Sequence, residues 1–183
     1  MLGSTKFNER KATQVAARFL AAAGNRMHYI KLLKMMYMAD REALARWGCP
    51  LTNDKYFSLD YGPILSAVKN LMVEEPQQRS FWNDHISSPS KYQIELIDEA
   101  GSDELSRAEE NLVDEIFNKY RRMDRWQLIE KSHELPEWQD PQGSSIPIEI
   151  ADILQAVGKQ PQEIDDIVRD LSGLRKMQAL SIE

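Results

Sequence analysis

Four residues carry groups suited to acid–base chemistry: Lys34, Asp40, Tyr61 and His133. An amine, a carboxyl, a phenol and an imidazole lining one open cleft can move protons on and off a small molecule. Asp40 is the most unusual of them. It lies in MHYIKLLKMMYMADREALARW, residues 27 to 47. That pattern predicts a long helix, apolar over more than half its circumference and ended by Gly48. At roughly 100° per residue, Asp40 falls among Leu33, Met36, Tyr37, Leu44 and Trp47. A carboxylate in such a place is costly unless it is paired or hydrogen-bonded. Lys34, Arg41 and the backbone donors of the Tyr61-Gly62-Pro63 turn are the candidate partners.

Other chemistries find less support. Cys49 and His133 can be imagined as a nucleophile and its base. Cys49, however, lies in a turn between Gly48 and Pro50 and not at a helix N-terminus, so nothing activates it. His28, His85 and His133 are far apart and show no metal-ligand spacing. Neither glycine-rich phosphate-binding pattern occurs. We therefore expect no catalytic residue, no metal and no cofactor. Lys plus Arg number 23 and Asp plus Glu 29, a net charge of −6, which argues against duplex DNA as the main partner. Lys119-Tyr120-Arg121-Arg122 and Arg125 come closest to a basic recognition helix, and acidic residues flank them. The single cysteine fits a reducing cytoplasm. No apolar run approaches the roughly 18 residues of a membrane span, and the N-terminus shows no apolar signal core. The expectation is a cytoplasmic protein of one domain, residues 1–183.

The elements that must position these groups are mostly helical. Asn8, preceded by Phe7, caps a first helix with Ala12, Val15, Ala16, Phe19, Leu20 and Ala23 on its buried face. Gly24 ends it, leaving about two residues before the long helix. Asn53–Leu59 reads as a strand, and Pro63 suits the first position of a third helix ended by Glu74-Glu75-Pro76. The alternation Lys91–Leu96 predicts a second strand, paired with the Tyr56 strand. Ser106 with Glu109, then Asp124 with Gln127, form capping boxes for helices reaching Tyr120 and His133. A short helix runs to Val157, stopped by Gly158, and Pro161 opens the last one, with Ile164, Ile167, Val168, Leu171 and Leu174 facing inward. The fold class is a mainly α helical bundle with a small two-stranded β element.

Lys31, Leu32, Lys34, Met35, Tyr37 and Ala39, then Gly48, Pro50 and Leu51, then Tyr61-Gly62-Pro63 form an ordered pattern. Ser132-His133 followed by Trp138 extends it. The pattern resembles the Panacea domain of SocA-like antitoxins in bacteria and their phages, over about residues 13–157. Residues 158–183 form a C-terminal helix beyond it. Ser132 stands where the family has threonine, and Ser66–Lys69 lacks the proline and tyrosine usual in the next helix.

The resemblance implies a non-catalytic antitoxin that holds a cognate toxin, encoded next to it, by direct contact. Lys34, Tyr37, Asp40, Gly62, Pro63, His133 and Trp138 would then hold the scaffold together. His133 would bond helix-end carbonyls with Trp138 packed across it; alternatively His133, Trp138 and the Tyr61 turn converge on a pocket. For the partner surface the sequence offers Met35 and Met38, flexible thioethers on the thinner side of the long helix. It also offers Phe81 and Trp82, adjacent aromatics in a polar loop. If buried, the methionines are gap-fillers and the aromatics fold back on the core. Two other readings remain: an enzyme with a small-molecule pocket built on Lys34, Asp40 and His133, and an adaptor that delivers its partner to a protease.

Overall fold

The computed structural model describes residues 6–74 and 80–180, with side chains to residue 174. Everything is arranged around α2, Tyr29–Trp47. Leu32 to Asp40 are buried without interruption, so the helix is enclosed on every side over that stretch. It touches α1 (Glu9–Ala22), α5 (Arg107–Tyr120), α6 (Arg125–His133), α7 (Ile150–Ala156) and a strand of each of two small sheets. The other helices among the described residues are α3 (Ser66–Val73), α4 (Phe81–His85) and α8 (Pro161–Leu180).

The caps follow local chemistry. The Asn8 side chain accepts from the Lys11 N–H at 3.0 Å. Both capping boxes form, Ser106 with Glu109 and Asp124 with Gln127. Gly48 ends α2 in the left-handed region, φ 64°.

The β structure exceeds the two strands expected. Strand β1 (Arg26–His28) pairs antiparallel with β4 (Gln93–Glu95), Met27 opposite Ile94. A second sheet has the order β3-β2-β5: β2 (Tyr56–Leu59) lies between β3 (Gly62–Leu65) and β5 (Ile146–Ile148). The Tyr56 strand and the Tyr92 segment therefore belong to different sheets. The link between α1 and α2 is longer than two residues. Asn25 takes a left-handed φ of 68° beside Gly24, and β1 forms before His28 caps α2 through Nδ1.

Pro63 is not the start of a helix. It pairs with Ser58 inside β3, where an edge strand tolerates its missing N–H. Pro147 holds the equivalent place on the other edge, opposite Phe57. Helix α3 starts three residues later, at Ser66, and Asp54 caps it from a distance: its carboxylate accepts from Ala67 N at 2.8 Å and Val68 N at 2.9 Å. Phe81 and Trp82 sit in α4, not in a loop. Of the expected stop signals of α3, Glu75 and Pro76 lie outside the described residues.

Candidate functional site

The motif residues meet at the tip of the β2–β3 hairpin. Asp60 and Tyr61 form that tip, with Leu59 paired to Gly62. From α2, the Lys34 ammonium donates to the Pro63 carbonyl at 2.8 Å. From the end of α6, His133 Nε2 lies 3.0 Å from the Asp60 carbonyl, which can only accept. Trp138 Nε1 donates to the Leu59 carbonyl at 3.1 Å. The His133 and Trp138 rings stack at 4.1 Å, so Trp138 does pack across His133. The carbonyls held this way belong to the hairpin and not to the end of α6. Gly62, at φ 90°, fills the centre of the clamp: a Cβ there would strike Ser132 Oγ and stand 2.9 Å from Lys34 Nζ. Ser132 itself is tied to the Ile129 carbonyl at 2.8 Å.

One turn further along α2 a second network ties in the chain after α6. Glu137, its side chain fully buried, accepts from Tyr37 OH at 3.0 Å and from Arg41 Nε at 2.6 Å. Burial, with the Glu137 charge behind it, pushes the Tyr37 phenol far above its ordinary range. Tyr37 meets Tyr56 edge-on at 6.0 Å, and Tyr56 OH donates to Asp40 at 3.1 Å.

Asp40 has none of the three partners the sequence offered. Lys34 goes to Pro63 and Arg41 to Glu137. The Asp40 carboxylate instead accepts from Leu51 N at 3.0 Å, Thr52 N at 3.1 Å, Thr52 Oγ1 at 2.7 Å and Tyr56 OH. These neutral donors satisfy it and pin the Pro50–Thr52 turn to α2. Burial still pushes its pKa up to about 6, against the pull of the Thr52 and Tyr56 hydrogen bonds.

Of the four groups suited to acid–base work, Lys34, Tyr61 and His133 come to the hairpin tip and Asp40 stands apart at the Pro50–Thr52 turn. Lys34 and Asp40 are sealed, at 1% and 0% exposure, and hold different partners, whereas Tyr61 is 59% exposed. They do not line one open cleft. The thiol of Cys49 is pushed up by burial, opposite to what a nucleophile needs. Among the described residues no group of three or more His, Cys, Asp or Glu could hold a metal ion.

Of the four candidates for a partner surface, three are buried. Met35 and Met38 are 0% and 5% exposed, because α2 has no outer side between Leu32 and Asp40. Trp82 is 0% exposed, and its Nε1 has no hydrogen-bond partner among the described residues. Phe81 is half-buried, with the Arg10 guanidinium 4.4 Å above its ring and the His85 ring tilted against it at 4.2 Å.

The family model described as antitoxin SocA-like, Panacea domain, matches residues 32–139. The chain belongs to this family. All seven motif residues from Lys34 to Trp138 lie inside the matched Panacea range, while residues 13–31 and 140–157 of the broader resemblance lie outside it. No curated protein and no solved structure matches the chain. No described helix is long and apolar enough to cross a membrane. Sequence reading missed Glu137, Thr52 and Asp54. The one available signal was the Pro136-Glu137-Trp138 run, where a carboxylate adjoins a motif tryptophan.

Proposed function

We propose that this chain is an antitoxin that neutralises a cognate toxin by direct protein–protein contact, without catalysis or a cofactor. The observation that carries the reading is membership of the SocA-like Panacea family over more than half the chain. The site geometry supports it. The motif groups with chemical potential are engaged with one another or with the hairpin backbone, which suits a scaffold. In this reading the neutralising surface lies outside the motif, and the protein works in the cytoplasm of a bacterium or during phage infection.

The test is growth rescue with the adjacent open reading frame. Expressed alone, its product should arrest growth. Expressed with this chain, growth should recover and the two proteins should co-purify. A neighbour that is harmless, or toxic but neither bound nor rescued, would reduce the family relation to a shared fold.

A further inference from the structure

Seven arginines with described side chains are paired with carboxylates inside the chain: Arg10, Arg18, Arg26, Arg41, Arg46, Arg107 and Arg169. The other three are Arg121, Arg122 and Arg125. None of these forms an ion pair among the described residues, and all three stand together where α5 passes into α6. The nearest carboxylate in sequence, Asp124, caps α6, its Oδ1 accepting from the Trp126 and Gln127 N–H groups, and its charge also acts on Lys31.

The surroundings are aromatic. Trp126 is 52% exposed, with the Arg125 guanidinium 4.9 Å above its ring. Across the junction with α2, the Lys31 ammonium holds the Arg121 carbonyl at 2.8 Å. His28 lies close enough for the charge of Arg125 to act on it, and its ring is parallel to that of Tyr92 at 5.8 Å. Tyr92 is 68% exposed. A chain of net charge −6 thus carries a localised patch of unpaired arginines rimmed by exposed aromatic rings. Arginine and large aromatics are the residue types that most often dominate binding at protein interfaces.

We infer that the α5–α6 turn, with Arg121, Arg122, Arg125 and Trp126 and the neighbouring Tyr92–His28 stack, is a docking surface for an acidic segment of a partner protein. Charge complementarity defines the occupant: three guanidinium groups without internal carboxylates match carboxylates presented from outside. Nucleic acid fits less well. A long polyanion would need a basic surface wider than this one patch on a chain of net charge −6, whereas a short acidic peptide segment needs only the patch itself.

The inference rests on the antitoxin reading, and the experiment separates the two. The probe is the purified product of the adjacent open reading frame. Wild-type chain should bind it and rescue growth. R121E/R122E should weaken binding about 10- to 100-fold and abolish rescue, with an unchanged melting curve. R121Q/R122Q serves if the reversed charges disturb folding and should weaken binding by a smaller factor. R107E/R169E, exposed arginines elsewhere, should bind like wild type. If R121E/R122E binds as tightly as wild type while wild type rescues, the docking surface is wrong and the antitoxin reading stands. If wild type neither binds nor rescues, both fall. If a fluorescent 20-nucleotide single strand binds wild type and competes with the protein probe, the acidic-protein assignment is overturned in favour of nucleic acid.

Discussion

At the residue scale, Lys34 shows the sharpest conflict between chemistry and position. Its side chain is almost fully buried, and its hydrogen-bond partner is a neutral carbonyl. Burial pulls the ammonium from 10.5 down to about 7. The unfolded chain keeps that proton up to about 10.5. Between the two values the unfolded state binds more protons, so this group makes stability rise with pH across that window. Below pH 7 both states are charged and the burial penalty is present in full. Urea unfolding at pH 7 and 9.5 should show a gain from this group on the order of 2–3 kcal/mol. Lys34→Met carries no proton, so the variant should lack that gain and be at least as stable as wild type at pH 7. Taking the difference between the two proteins cancels other titrations, and the phenols of Tyr37 and Tyr56 stay protonated because burial pushes both above their ordinary range. Parallel pH dependences would show that Lys34 keeps its proton in the native state.

At the scale of elements, the motif is a clamp on one hairpin. Lys34 of α2, Ser132 and His133 of α6, and Trp138 beyond it hold four positions of the turn and strand, Leu59, Asp60, Gly62 and Pro63. Gly62→Ala should be the most damaging single change at this point. It places a side chain at φ 90° and drives a Cβ into Ser132 and Lys34. Overpacking and left-handed strain together should cost about 2–4 kcal/mol. The double variant G62A/S132A should recover about 1 kcal/mol, since one of the two obstructions is gone while the backbone strain stays. Strictly additive melts would mean that the hairpin tip does not press on α6. The same clamp explains which elements were legible. Helices α5 and α6 were readable because their caps are local, within three residues of the helix start. The hairpin was not: Pro63 obeys the local rule for a helix start, but an edge position in β3 is open to it and wins. Asp54 caps α3 from twelve residues before Ser66, and Asp40 takes its donors from eleven to sixteen residues away, so neither partnership leaves a periodic trace. Spacing leaves Met35 and Met38 open between a thin exposed side and gap-filling, because it measures one helix at a time. Only the assembled neighbours, α1, α5, α6 and β3, show that α2 has no outside between Leu32 and Asp40.

At the scale of the molecule, the chain divides into the matched Panacea region and its flanking segments. Helix α8 lies wholly outside that region and rests mainly on α7. Among its described side chains, Ile164, Ile167, Val168 and Leu171 reach the core. Ile167 would stand 3.0 Å from a Cβ at Gly48, so it closes over the end of α2. Val168 and Leu171 wall a cavity of about 550 Å³ whose other side is Tyr56, Phe57 and Ile148 of the second sheet. Among the described side chains of α8, which reach residue 174, Leu171 at 8% exposure is the most buried, whereas α2, α1 and α5 bury whole faces against each other. On its described part, α8 is therefore held less tightly than the helices that bury whole faces. A chain ending at residue 160 should therefore fold and melt at lower temperature. Its binding to the neighbouring gene product should match the full chain, because Arg121, Arg122 and Arg125 are set by α5, α6 and the Lys31 contact and not by α8. Loss of cooperative melting in that chain would place α8 inside the folding core. Intact folding with lost binding would move the docking surface from the α5–α6 turn to the C-terminal helix.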